Sequence, residues 1–136
     1  MTDAEYEAQR ARIVALAERW TRPLGLGWWT ITHEYERDSG RFESDTDASS
    51  ASVLASCKAD WRYLKATITW NMRHLQDTSD DYLEKAFVHE LMHVMLHELS
   101  VDDSHHNASE ERVASTLANA FVWVRAEGNG EGMVKR

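Results

Sequence analysis

The 136-residue sequence has a single cysteine, Cys57. One thiol excludes an internal disulfide and any cysteine-rich zinc knuckle, and it points to a reducing, intracellular compartment. No apolar run approaches the ~20 residues that a membrane-spanning helix needs, so no membrane partner is expected. Basic residues are scarce: 15 Lys and Arg stand against 23 Asp and Glu, a net charge of −8. That balance gives no electrostatic footprint for nucleic acid. The first residues, MTDAEYEAQR, lack the basic start and apolar core of a secretory signal, which favours a cytoplasmic location.

What remains is an ordinary globular composition, 43% hydrophobic and 28% charged, with six Trp as its one excess. The length suits one domain, read as residues 1–126 with a flexible tail at 127–136. Residues 3–20 carry Tyr6, Ile13, Leu16, Ala17 and Trp20 on one helical face, and Arg22-Pro23 with Gly25 and Gly27 ends that helix. WWTITHEY alternates as a strand, with Trp29, Ile31, His33 and Tyr35 on one side. Residues 38–52 are small, polar and acidic. They read as a loop, without the spaced ligands of a calcium site.

Alternation resumes with Val53, Ala55, Cys57, Ala59 and Trp61, and again with Ala66, Ile68, Trp70 and Met72 in KATITWNM. A short connection at Arg62-Tyr63 makes these two an antiparallel hairpin. Trp28, Trp29, Trp61 and Trp70 are expected mostly in the core. After a polar linker, Thr78 or Ser79 can cap a helix that opens with Asp80 and Asp81 and runs to about Leu99. VDDSHHNAS reads as a loop. EERVASTLANAFVWV is a last helix, apolar at Val113, Ala114, Leu117, Ala118, Phe121 and Val124. The expected fold is therefore α+β: a helix, a small three-stranded sheet and two further helices.

The polar chemistry concentrates in FVHELMHVMLHEL, residues 87–99. His89-Glu90-Leu91-Met92-His93 is an HExxH motif. Four residues on a helix make about one turn, so the two imidazoles leave one face and can share a Zn²⁺ ion, with Glu90 beside them as general base. The competing reading is a chance match on a buried helix. Its position in mid-helix, and a carboxylate-bearing helix downstream, weigh against chance.

A catalytic zinc needs a third protein ligand and an open position. His97 lies ~12 Å along the helix axis from His89, too far to share its ion, and reads as a supporting or core histidine. His105 and His106 lie in the short loop and stay candidates for that third ligand. Glu110 falls on the centre of the stripe through Val113, Leu117 and Phe121, whereas Glu111 falls at its edge. Periodicity does not choose between the two. Tyr82, His33 and His74 are candidates to donate to an oxyanion, and spacing does not rank them.

HELMHVMLH is similar to the HExxHxxLH run of phage- and plasmid-type peptidases that cleave repressors, and EERVASTLANAF resembles their Glu-bearing, Ala-rich helix. The chain thus resembles the gluzincin class of zinc metallopeptidases over residues 66–124, and over the first 60 by element order. The resemblance implies a zincin-like fold and a zinc hydrolase acting on a peptide or protein substrate. It implies His89 and His93 as ligands, Glu90 as base, and Glu111 as third ligand ahead of Glu110. It also implies that KATITWNM is an edge strand that pairs with extended substrate.

There are two departures. The Asp that often follows the ligand Glu by four residues is replaced by Ser115 or Ala114, and no DNA-binding or sensor domain is present. A catalytically silent binding module of the same fold is therefore the alternative function. A closed structural zinc site is a third, disfavoured because it leaves Glu90 without a duty.

Overall fold

Thr2 and Glu5 start the first helix with a reciprocal cap: Thr2 Oγ1 accepts from the Glu5 amide at 3.1 Å, and Glu5 Oε2 from the Thr2 amide at 3.4 Å. The structure, a computed structural model, describes residues 1–37, 54–99 and 104–129, with the backbone alone at 104–108 and 129. Helix α1 spans Asp3–Trp20 and buries Ile13, Leu16 and Trp20. Gly25, at φ +83, takes the left-handed turn that leads the chain into the sheet. The expected loop at 38–52, with its calcium question, lies outside the described residues.

Strands β1 (Thr30–Glu36), β2 (Ala55–Asp60) and β3 (Lys65–Asn71) form a sheet in the order β1-β3-β2. β3 runs parallel to β1 and antiparallel to β2. The hairpin is as expected, but its connection is longer: Asp60 pairs with Lys65 across a four-residue turn, with Leu64 at φ 52. The strand KATITWNM was the expected edge, and the topology corrects this. β3 is central, its backbone bonded on both sides, so it has no free edge for a substrate. Its burial says the same, since Ala66, Ile68, Thr69, Trp70 and Asn71 are all buried. Among the described residues the edges are β1 and β2.

The polar linker expected after β3 holds a short helix, α2 (Met72–Gln76), started by the Asn71 side chain and anchored by fully buried Met72 and Leu75. One turn is too short to show a period in sequence. Helix α3 spans Asp80–Leu96 and ends in a 3₁₀ turn at His97–Leu99. Ser79 is its cap, accepting from the Tyr82 amide at 3.2 Å, while the Thr78 hydroxyl donates to the His74 carbonyl. Arg12 on α1 fixes the entry to α3: its guanidinium donates to the Leu75 and Thr78 carbonyls at 2.9 and 2.8 Å and to Asp80 Oδ1.

Helix α4 spans Ser104–Asn129, longer at both ends than expected. The segment read as a loop, 104–109, is helical; it holds no Gly or Pro to interrupt the helix. Residues 127–129, assigned to the tail, continue the helix. Ala114 and Ala118 are buried one turn apart, and their small side chains let α4 approach α3 closely. Val124, expected on the packed stripe, is 65% exposed, and Val122 packs against the core instead. The tryptophans divide more evenly than expected. Trp70 is fully buried and Trp29 partly so, but Trp28 is 89% exposed and Trp61 lies at the surface.

The whole is α+β, with α3 against the sheet and α4 against α3. That arrangement brings the HExxH turn between strand β2 and the start of α4.

Candidate metal centre

Helix α3 buries Leu83, Phe87, Val88, Leu91, Met92 and Val94 in the core. Its apolar residues wrap most of the helix, and the half-buried His89 and His93 occupy the strip left facing α4 and β2. Their Nε2 atoms approach to 3.0 Å. Two neutral imidazole lone pairs do not converge in this way without a proton or a cation between them.

Both carboxylates at the start of α4 reach these rings, by different routes. Glu111 Oε1 lies 2.8 Å from His89 Nε2, and its Oε2 lies 3.0 Å from His93 Nε2. Glu110 Oε1 takes the other side of the second ring, accepting from His93 Nδ1–H at 2.7 Å. The central position of Glu110 on the packed stripe buries it beneath His93, with 12% of its side chain exposed, whereas the edge position of Glu111 leaves 60% exposed.

His89, His93 and Glu111 therefore form a group able to hold a metal ion, their ligand atoms all within 4.8 Å of one another. Three donors about 3 Å apart suit one small tetrahedral ion with ligand bonds near 2 Å. Glu110 fixes the proton of His93 on Nδ1 and turns Nε2 toward the group. Ser115 Oγ lies 3.3 Å from His89 Nδ1 and does the same for that ring. No protein-family profile, curated protein or solved structure matches this chain.

Glu90 is the remaining member of the motif. It is buried, 9% exposed, yet accepts no hydrogen bond from any described residue. Burial pushes its pKa up to about 7; the nearby His93 opposes the rise and Glu111 adds to it. A divalent cation at the neighbouring group would pull it back down. Burial also lowers the pKa of His89, against the pull of Glu111. Such a carboxylate, largely buried and without a hydrogen-bond donor among the described residues, lines the cleft.

The cleft runs along α3. One cavity of about 270 Å³ lies toward His97 and is walled by Ala55, Ser56, Cys57 and Ala59 of β2 with His93 and Glu110. A second, about 430 Å³, lies toward Tyr82 and is walled by Lys85, Ala86, Ser115, Ala118 and Asn119. The two share Ala55, His89, Glu90 and Glu111, so the His-His-Glu group sits between them. Cys57 is kept as a thiol, its pKa pushed up to about 12 by burial and by Glu90 and Glu110.

Of the three residues considered as oxyanion donors, Tyr82 lines the cleft. His33 is stacked in the core on Phe87 and Trp70, with Nδ1 accepting from Trp70 Nε1–H at 3.0 Å, and His74 lies on α2. His97 lines the far cavity. His105 and His106 are in the first turn of α4, and their side chains lie outside the described residues. Glu110's contact with His93 and the small wall of β2 were not read from the sequence. Their signals were available, as a second Glu on the stripe centre and as Ala, Cys and Ala at alternate positions.

Proposed function

We propose that the protein is a zinc-dependent peptidase, with His89, His93 and Glu111 as metal ligands and Glu90 as general base. The observation that carries this reading is Glu90: a largely buried carboxylate with no hydrogen-bond donor among the described residues, beside three convergent candidate ligands and open to a cleft. A purely structural metal site gives such a group nothing to do, and an unpaired buried carboxylate costs stability. A bound zinc ion supplies Lewis acidity and lowers the pKa of a coordinated water toward ~7. With the ion held by His89, His93 and Glu111, the Glu90 carboxylate would accept a proton from the attacking water and return it to the leaving amine. Glu110 and Ser115 would hold the two imidazoles in the tautomer that ligation needs, and Tyr82, which lines the cleft, is our candidate to donate to the developing oxyanion.

Strand β2 is the surface on which a peptide would lie. Among the described residues it pairs with β3 alone, and its Ala55, Ser56, Cys57 and Ala59 line the cleft. An extended substrate can add to that edge by backbone hydrogen bonds, with the small side chains leaving room for its own. Because the cleft continues on both sides of the group, cleavage inside a peptide is favoured over removal of a terminal residue.

Ser115 supports a second reading, a metal-holding binding module without turnover. A hydroxyl 3.3 Å from His89 Nδ1 polarises the ring less than a carboxylate would. One variant separates the two. Glu90→Gln keeps size and shape but cannot accept the proton. In the enzyme it retains zinc, about one ion per chain by elemental analysis, and loses peptide hydrolysis by 10²–10⁴-fold, about the contribution of a positioned base. Wild type and variant equally inert across a broad peptide library would leave the binding module standing.

A further inference from the structure

Lys85 is the one cation among the described residues that line the cleft; its other ionisable members are Glu90, Glu110, Glu111, three histidines, Tyr82 and Cys57. It stands one turn before His89 on the same helix, so its Cα precedes that of His89 by ~6 Å along the axis. Neither of the two nearest preceding carboxylates on its helix is engaged with it. Glu84 accepts from Trp20 Nε1–H at 2.8 Å and from Arg19 at 2.9 Å. Asp81, four residues earlier in the favourable orientation, makes no ion pair with it. Lys85 also borders a neighbouring hollow with Asp81, Glu84 and Glu127, but among the described residues none of these carboxylates forms an ion pair with it.

The surrounding cavity explains what it can receive. Leu54, Ala86 and Ala118 give apolar walls, while Tyr82 and Asn119 bring a hydroxyl and an amide that can donate beside the ammonium. Room, three donors and one positive charge describe a receptor for a carboxylate on a short apolar stem. An extended peptide advances ~3.3 Å per residue, so the ~6 Å offset corresponds to about two residues from the group that reacts.

We propose that this cavity is a carboxylate-recognising subsite and that Lys85 selects peptides carrying a carboxylate within about two residues of the scissile bond. The carboxylate is that of an Asp or Glu side chain or of a chain terminus. The inference rests on the peptidase reading for its geometry, but it can be tested without turnover.

The probes are short peptide hydroxamates, which anchor on zinc, with the chelating group at either end so that both directions along the cleft are sampled. Each series carries Glu, Gln or Lys two residues from the hydroxamate with the peptide terminus blocked. A fourth compound carries Gln with a free terminal carboxylate at that distance. Affinities are measured by calorimetry on the zinc-loaded protein. In one series the Glu compound, the free-terminus compound or both bind about fivefold or more tighter than blocked Gln, the upper range of an exposed ion pair; which of them does so identifies the source of the carboxylate. Lys85→Met removes the difference and Lys85→Glu transfers the preference to the Lys compound. Equal affinity for Glu, Gln and the free-terminus compound in both series, a preference that survives Lys85→Met, or no binding at all overturns the inference. Peptide hydrolysis is scored separately: discrimination without cleavage keeps the subsite and rejects the peptidase, and cleavage without discrimination does the reverse.

Discussion

His33 on β1 and His93 on helix α3 are both half-buried, yet their surroundings make them different chemical objects. His33 stacks on Phe87 at 5.7 Å and on Trp70 at 6.2 Å, and its Nδ1 accepts the indole proton of Trp70. Among the described residues no carboxylate joins it there, and burial lowers its pKa to about 4. It is a neutral core side chain that satisfies an indole. His93 lies less than two turns beyond Phe87, where Glu110 takes its Nδ1 proton and Glu111 meets its Nε2. Burial alone does not make a histidine functional. Convergent acceptors set it apart, because they leave a lone pair aimed at a point where a metal ion could be held.

The largest effect that would break this contrast is removal of a ligand. Structural zinc sites bind with ~10–16 kcal/mol over four ligands, so each is worth about 3 kcal/mol or more. His89→Ala, His93→Ala and Glu111→Gln are each expected to weaken zinc binding at least about a hundredfold, and the first two also to lower the melting temperature of the zinc-loaded protein. His33→Ala should leave zinc affinity unchanged within error. A competition titration with a chromogenic chelator reads all four. Zinc lost with His33 but kept without His93 would reverse the assignment.

Acid should discriminate the two histidines next. The unfolded chain takes up a proton at His33 near pH 6.5, whereas the folded protein does so only near 4. Between these values the unfolded state binds more protons, so stability is complete above the upper value and falls as pH drops toward the lower one. For a largely buried group this amounts to roughly 2–3 kcal/mol. His89, whose pKa is also lowered, adds in the same direction in the metal-free protein. His33→Phe keeps the ring stack but leaves Trp70 Nε1–H without its acceptor, costing about 1 kcal/mol at neutral pH. It should flatten the slope in chelator-treated samples melted from pH 7 to 4. A slope unchanged by the substitution would show that His33 is already protonated in the fold.

The smallest expected effects sharpen the comparison within the site. Glu110→Gln keeps an acceptor for His93 but removes its charge, and outer partners of this kind are worth about 10–100-fold in metal affinity. Ser115→Ala removes a longer contact to a neutral group and should cost less than tenfold. Measured side by side with Glu111→Gln, the order of loss should be Glu111, Glu110, Ser115. If Glu110→Gln proved the most damaging of the three, Glu110 would be the ligand and Glu111 its support.

Much of this molecule was legible from local pattern. The extent of α1, the start of α3, the β2–β3 hairpin and the facing pair His89 and His93 all follow from the 3.6- and 2-residue periods of the backbone and from the capping and breaking residues beside them, which any chain carries within itself. The two glutamates mark where such reasoning stops. Helical phase placed Glu110 at the stripe centre and Glu111 at its edge, and it could not say which reaches both Nε2 atoms. That depended on how closely α4 approaches α3 over Ala114 and Ala118.

By itself, then, the sequence determined the α+β class, the helix that carries the motif, and the convergence of two imidazoles with a glutamate beside them. Spacing along one helix is set by a rise of about 1.5 Å per residue and needs no partner. Tertiary structure decided the rest: that β3 is central and β2, among the described residues, an edge, that Trp28 faces solvent while Trp70 is enclosed, and that Glu111 and Glu110 meet different nitrogens of one ring. Strand order and helix approach are fixed by burial shared between segments far apart in the chain. No local period records which neighbour each segment will find.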